Sequence, residues 1–322
     1  LNPVLEAAGM TVVETDLGEY IVQLAGETPS HIIAPAVHKT REQITDLFHE
    51  HHSPLGYTDR VTQREALVNE ARSVLRERFV AADVGITGAN FLVAETGANV
   101  IVTNEGNGDL TSCLPRVHIV TAGIEKVIPS LDDLSVLLRV LARSATGQEF
   151  SAYTSLYSGP RRTDEMEGPE AYHVVLLDNG RSRLLGGQYQ PMLRCIRCGA
   201  CLNHCPVYGA IGGHAYGWVY SGPMGSVLTP LLNGFDQAMD LPNACTLNGR
   251  CKEVCPVRIP LSDLLLKHRL EQHDRRLNTI FGRFLLSAWA WLARRPRLYQ
   301  GVMALPLWLM HRLGHRRGVL SR

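Results

Sequence analysis

The spacing of apolar residues along the first half of the chain alternates between strand and helix periods. Residues 20–24 and 31–37 read as short strands joined by the Gly26-Glu-Thr-Pro29 turn, with Pro35 placing the second at a strand end or sheet edge. Residues 40–49 follow as a helix, and the polar run from His49 to Gly56 reads as a loop. Thr62-Gln-Arg-Glu65 is a capping box. It opens an amphipathic helix over 63–79, whose apolar face is Ala66, Leu67, Ala71, Val74, Leu75 and Phe79. The sheet that this face requires is supplied by β-rich runs at 84–87, 91–95, 99–103 and 117–121. Ser130-Leu-Asp-Asp133 caps a helix that runs to Arg143 and ends at Ala145-Thr-Gly147, and residues 151–157 and 172–177 add strands. The pattern predicts an α/β or α+β fold with a mostly buried sheet.

The periodicity stops near residue 185, after the Asp178-Asn-Gly180 turn and an Arg-, Gly- and Gln-rich stretch. Four cysteines follow, Cys195, Cys198, Cys201 and Cys205, spaced C-x2-C-x2-C-x3-C with Pro206 behind them. Two intervening residues let one tight loop turn three thiolates toward a single iron–sulfur cube, while the fourth serves the other cluster of a pair. A second run is therefore required downstream, and Cys245, Asn248, Cys251 and Cys255 with Pro256 keep its register, with Asn248 in place of the second cysteine. The crossover assigns Cys195, Cys198, Cys201 and Cys255 to one 4Fe-4S cluster, and Cys205, Cys245 and Cys251 to the other. The second is then either 3Fe-4S, or 4Fe-4S with a water, Asn248 or a partner's side chain on the fourth iron. Structural zinc favours two pairs of ligands, and disulfides favour a small secreted chain; seven cysteines in two runs that each end Cys-Pro fit neither. Cys113 stands apart as a lone thiol, with fourth ligand of the second cluster as the lesser reading.

Composition narrows the remaining classes. With 322 residues, 45% hydrophobic residues and a formal charge of +1, the chain has room for about two domains with proper cores, and no global charge points to nucleic acid. The charge is uneven, since residues 261–322 are strongly basic. The chain starts at Leu1 without an initiator Met or a charged-then-apolar leader, from which missing upstream sequence and no signal peptide are expected. Thiolates that must stay reduced point to the cytoplasm. The apolar stretches 284–293 and 302–310 are too short, and too interrupted by Arg and Pro, to cross a bilayer.

Chemistry outside the cysteines is sparser. Gly88, Asn90, Glu95, Thr96, Gly97, Asn104, Glu105 and Asn107 lie in Gly-containing links between strands. They are a candidate ligand pocket in which Glu95 or Glu105 would be the catalytic carboxylate, or else ordinary hairpin turns. His49, His51 and His52 lack a Cys or carboxylate at ligand spacing and read as a solvated loop. Between the cysteine runs, Tyr216, Trp218 and Tyr220 either shield a cluster or serve as core, and residues 227–238 look helical. Residues 261–275 read as a helix with Ser262 as N-cap. The Arg- and Trp-rich remainder suits a partner surface first and an anionic membrane face second.

Several long words carry a family resemblance: ETDLGEY at 14–20, IIAPAVHK at 32–39, GITGANFLVAETG at 85–97, NEGNG at 104–108, LPRVH at 114–118, GIEK at 123–126, and the ferredoxin run. With these the chain resembles the lactate-utilisation iron–sulfur protein family, the B subunits of bacterial L-lactate oxidation systems. The resemblance implies an α/β domain related to the sugar-phosphate isomerase and CoA-transferase-like folds, followed by an α-helical ferredoxin-type domain. It also implies sister subunits that together oxidise L-lactate to pyruvate, an electron-transfer role here, and an N-terminal part beyond this chain. The domains expected are 1–185, 186–275 and a basic segment 276–322. Other expectations are an acyl- or sugar-phosphate-acting enzyme domain with regulatory or structural clusters, and a redox sensor.

Overall fold

The computed structural model describes residues 1–316 and divides at Leu266 into two compact units. In the first, α1 (Asn2–Ala7) precedes α2 (Leu17–Leu24), α3 (Arg41–His52) and α4 (Arg64–Ala81). α2 replaces the first expected strand. Its Leu17, Tyr20, Ile21 and Leu24 recur at helical spacing and pack with Phe48, Leu67 and Ala71, while Asp16 caps it by accepting from Gly18 N at 2.8 Å. The second expected strand is irregular backbone, because His31 Nδ1 accepts from both Ile33 N (3.0 Å) and Ala34 N (3.1 Å) and winds the chain into a turn.

Thr40 and Gln43 form a reciprocal capping box at the start of α3, which runs three residues past the expected end. His52 therefore lies on a helix and not in a solvated loop. It is fully buried, with its ring between Tyr20 Oη (2.9 Å) and Glu70 Oε1 (2.8 Å). The box expected at Thr62 does not form, since Gln63 is the N-cap of α4 and offers no side-chain bond.

The β-rich runs divide into two sheets where one was expected. β1 (Val84–Thr87), β4 (Val117–Gly123) and β7 (Ala171–Leu177) form a parallel sheet in the order β1-β4-β7, with Gly85 opposite His118 and His118 opposite Tyr172. β2 (Phe91–Val93), β3 (Ala98–Thr103), β5 (Val127–Ile128) and β6 (Tyr153–Tyr157) form a mixed sheet in the order β5-β2-β3-β6. Leu92 of the mixed sheet packs with Val120 and Ala122 of the parallel one. α5 (Asn107–Cys113) starts inside a Gly-rich stretch expected to be a turn; its N-cap is Gly106, with φ 75° and no side-chain bond. α6 (Leu131–Thr146) is capped by Ser130, which accepts from Asp133 N at 3.2 Å, and ends at left-handed Gly147, both as expected.

Short helices then wrap the cysteines: α7 (Ala200–Asn203), α8 (Pro206–Ile211), α9 (Gly222–Asn233), α10 (Phe235–Ala238), α11 (Asp240–Asn243) and α12 (Arg250–Glu253). α9 begins earlier than expected and stops before Gly234, whose φ of 87° turns the chain. α13 (Leu261–Asp274) begins one residue before Ser262, so Ser262 is helical and not the cap; Pro260 O accepts from Asp263 N and Leu264 N instead. In the second unit, α14 (Ile280–Ala293), capped by Thr279, and α15 (Pro296–Arg316) pack on each other. Arg317 and Arg322 of the basic segment lie outside the described residues. Among those residues, no helix is long and apolar enough to cross a membrane.

Candidate functional site

The two cysteine runs fold as copies of one turn. Arg197 and Leu247, each two residues after the first cysteine of its run, are left-handed (φ 62° and 56°) although neither is glycine. Gly199 and Gly249 are left-handed too, at 72° and 82°, and each opens a one-turn helix carrying the next cysteine, Cys201 on α7 and Cys251 on α12. Backbone N–H groups point at sulfur in both copies: Leu247 N to Cys245 Sγ at 3.3 Å, Ile259 N to Cys255 Sγ at 3.3 Å and Tyr208 N to Cys205 Sγ at 3.5 Å.

Cys195, Cys198, Cys201 and Cys255 line a single cavity, the grouping expected from the crossover. Its other walls include Ile32, Met224, Val257, Ile259 and Leu261. Burial pushes the Cys198 thiol up, and charge on Cys195 and Cys255 adds to it. Cys201 is raised well above the ordinary thiol range by burial first and then by Cys195. Cys198 and Cys201, buried against an apolar cavity, resist ionisation on their own, and a cationic centre among the four soft donors, such as a 4Fe-4S cube, would favour their thiolate forms. The donor set fits that group.

Cys205, Cys245 and Cys251 form the other group. Cys251 is pushed up to about 11 by burial and by charge on Cys245 and Cys205. Tyr216, buried in an apolar cluster with Ala238 and Leu241, is hydrogen-bonded to Cys205 and feels Cys245 as well, so it is core that also borders this group. Asn248 does not replace the absent thiol in this arrangement. It is exposed, and its Oδ1 accepts from Arg250 N at 3.3 Å, at the start of α12. Cys113 joins neither group; its neighbours are Tyr157, Asp109 and Glu167.

The α/β part supplies walls to the first group, which sequence reasoning missed. Ile196, Cys198 and Ala200 belong to the same apolar cluster as Phe91, Val93 and Val100 of the mixed sheet. Arg197 reaches Glu125 Oε1 at 3.0 Å, Arg181 Nε meets Glu125 Oε2 at 2.7 Å, and the Glu125 side chain is only 5% exposed. Burial would raise Glu125, yet Arg181, a backbone N–H and Arg197 outweigh it and hold the carboxyl below its ordinary range. Lys126 is brought down to about 8 by burial and by Arg197, against the pull of Cys195 and Glu125. A cavity of about 660 Å³ adjoins this network, with Glu125, Arg181, Gln190, Leu193 and Arg194 among its lining residues. From the other side, the 30–39 segment closes on α7 and α8. Tyr208 Oη donates to Ser30 O at 2.8 Å, and a Cβ on Gly213 would lie 1.6 Å from that same oxygen, so only glycine fits there. The local signal for these contacts was only that Glu125, Lys126 and Ile32 fall within the resembling words.

The eight residues of the candidate ligand pocket do not converge. Glu95 and Glu105 flank opposite ends of β3, about 20 Å of strand. Glu95 Oε2 accepts from Leu131 N (3.3 Å) at the start of α6, and Glu105 Oε2 from Leu17 N (3.3 Å) at the start of α2. Asn90 Oδ1 accepts from Val102 N at 2.9 Å, Thr96 Oγ1 from Ala98 N at 3.3 Å and Asn104 Oδ1 from Ala152 N at 3.0 Å. Gly97 (φ 69°) makes the turn between β2 and β3, Gly88 follows β1, and Asn107 opens α5. These are turn and capping duties. Glu105 is raised by burial and by Asp16, and Glu19 nearby is pushed up to about 9 by burial and Asp16.

A buried polar cluster lies between the sheets and had no local signal. His118, fully buried, bonds Thr87 Oγ1 at 2.8 Å and stacks edge-on against Tyr172, whose hydroxyl donates to Asn99 Oδ1 at 2.7 Å. Burial brings His118 down to about 4. Among the described residues one further set of metal-type ligands meets, Glu27, His38 and His214; His38 Nε2 lies 2.7 Å from Glu27, and His214 Nε2 donates to Thr28 O at 2.7 Å.

Residues 4–177 match the LUD domain family, and residues 191–259 match the 4Fe-4S dicluster domain. Lactate utilization protein B of Geobacillus sp. (strain WCH70) is 52% identical over 270 residues, covering 84% of this chain and 56% of that protein. The proteins of the same name from Bacillus licheniformis (52% over 304 residues, 93% of this chain, 62% of that protein) and Bacillus pumilus (47% over 318 residues, 97% and 66%) are also similar. The chain thus spans between about half and two-thirds of the length of these relatives. A solved DUF162 family protein from Deinococcus radiodurans aligns with a TM-score of 0.24 and 19% identity, covering 31% of this chain and 56% of that one, which is too slight to bear on the fold. The chain belongs to the LUD-domain family, bears behind that domain the cysteine framework of a 4Fe-4S dicluster domain, and is a homologue of lactate utilization protein B.

Proposed function

We propose that the chain is the iron–sulfur electron-transfer subunit of a cytoplasmic complex that oxidises L-lactate to pyruvate, working with sister subunits and a downstream acceptor. The observation that carries this reading is the convergence of Cys195, Cys198, Cys201 and Cys255 on one cavity; the name shared by the relatives supplies the substrate. Oxidation of the alcohol to the ketone releases two electrons and two protons. An iron–sulfur cluster, when bound, supplies one-electron chemistry. The sequence has no flavin or nicotinamide fingerprint, and in this reading the two-electron step falls to a partner or to an unrecognised cofactor.

The residues of this chain have definable tasks in that role. Ile32, Met224 and Leu261 keep water from the first thiol group. N–H donors on Cys255 and Cys245 disperse negative charge on sulfur, and Arg197 and Lys126 beside Cys195 favour the reduced state. Three thiolates and an exposed Asn248 leave one iron position of the second cluster to a non-cysteine donor or unfilled. An acyl- or sugar-phosphate-acting domain built on Glu95 or Glu105 gains no support from carboxylates that cap separate helices.

The test is anaerobic iron and sulfide analysis with low-temperature electron paramagnetic resonance, before and after dithionite. About eight irons with two interacting reduced signals support two 4Fe-4S clusters, and about seven with an oxidised 3Fe-4S signal support a three-thiolate second cluster. Stoichiometric zinc with little iron would sink the electron-transfer reading.

A further inference from the structure

α14 and α15 expose apolar side chains on nearly every side. In α14, Ile280, Phe281, Phe284, Leu286, Trp289 and Trp291 are each more than half exposed. At 3.6 residues per turn they occupy roughly two-thirds of the helix circumference. α15 continues with Val302, Leu307, Trp308 and Met310, again more than half exposed. A helix packed on a single neighbour needs an apolar stripe of only about 100° or somewhat more. Hydrocarbon covers a helix from all sides that enter it.

Charge selects the kind of surface. Residues 275–322 contain ten arginines and no Asp, Glu or Lys. The arginines gather at the helix ends, with Arg294, Arg295 and Arg297 where α14 passes into α15. Each helix carries a tryptophan beneath an arginine four positions on: Arg295 lies 3.9 Å over Trp291, and Arg312 lies 5.2 Å over Trp308. Amphipathic indole rings beside guanidinium groups suit the boundary between acyl chains and phosphate headgroups. α14, with 14 residues, is about 21 Å long, short of the ~30 Å hydrocarbon core.

We propose that α14 and α15 seat the protein on an anionic phospholipid bilayer, with their apolar side chains in the headgroup and upper acyl region of one leaflet and their arginines on lipid phosphates. The proposal goes beyond the electron-transfer reading and stands independently of it, because binding is measured without substrate or turnover.

The experiment is flotation of the full, cluster-loaded chain with vesicles of phosphatidylethanolamine and phosphatidylglycerol, or of phosphatidylcholine alone. Emission from the tryptophans is followed with brominated acyl chains. Co-flotation with the anionic vesicles, little with the neutral ones, and quenching by bromine are expected. Reversing Arg294, Arg295 and Arg297 to Glu weakens vesicle binding more than about tenfold, while Trp289→Ser with Trp291→Ser removes most of the quenching at unchanged iron content. Three results overturn the proposal: protein that stays at the bottom with anionic vesicles, co-flotation with unquenched emission, which means charge adsorption alone, or a lipid-free oligomer whose tryptophans are already sequestered, which makes a second copy the cover.

Discussion

The two cysteine runs share a backbone and differ in their surroundings. The run from Cys195 is pressed on one side by the mixed sheet through Ile196 and Cys198, and its cavity is roofed by Ile32. The run from Cys245 makes the same turn with Leu247 and Gly249, yet its second position is an exposed Asn248. The turn alone therefore presents sulfur, and the α/β part adds exclusion of water and a fixed set of charges. The equivalent turn from Cys245 carries its missing thiol at a corner that faces solvent.

The largest effect that can break this comparison is removal of a sulfur from the walled group. Cys201→Ser should lose about four irons and lower the melting temperature, whereas Cys251→Ser should lose only the second cluster's iron; iron analysis and calorimetry separate the two. Next is the carboxylate that joins sheet domain and cluster turn. Glu125→Ala leaves Arg181 buried without a counter-charge, takes one of two negative neighbours from Arg197, and should cost about 3–5 kcal/mol in denaturant titration, with a higher reduction potential for the first cluster alone. Because the Glu125 carboxyl is held below its ordinary range, its contribution is present above about pH 4.5 and is lost as pH falls through its folded value.

A smaller effect comes from the wall behind that turn. His118 drops from 6.5 to about 4 on folding, so its neutral form contributes stability above pH 6.5 that falls away toward pH 4, about 3 kcal/mol in all. By pH 5.5 about 1.4 kcal/mol should be gone, and His118→Gln should flatten that part of the pH profile. The comparison is sharpened by Asn248→Cys, which should add about one iron, or abolish any 3Fe-4S signal, while stability moves by less than about 0.5 kcal/mol. The smallest effect expected is at Glu95. Glu95→Gln should leave iron content and turnover of the assembled complex unchanged and shift stability by less than about 0.5 kcal/mol; loss of turnover would restore a catalytic role.

What could be read along the chain follows from how local each determinant is. Cysteine spacing is itself ligand geometry, so the grouping of Cys195 with Cys255 was legible before any fold. So were the Ser130 cap and the strands at 84–87 and 117–121, the second of which runs on to Gly123, since their signals lie within a few residues. Residues 20–24 misled because Ile21 and Val22 favour strands, while the decisive contacts of Tyr20 are with Phe48 and His52, far along the chain. His52 looked solvated among polar neighbours because its partner Glu70 belongs to another helix. Glu125, Lys126 and Ile32 carry no signal beyond falling within the resembling words, and their parts depend on which surface the cluster turn meets.

The roof over the first group has a consequence for biogenesis. Ile32 and its segment leave the ribosome long before Cys195 and Cys255 are made, and they are held down by groups that also arrive late, Tyr208 and Gly213. The roof is thus laid after its supports. A scaffold delivering iron and sulfide would find the thiols open while the 30–39 segment is still undocked, and docking then seals the cargo in, so the order of synthesis itself sets a window for cluster loading.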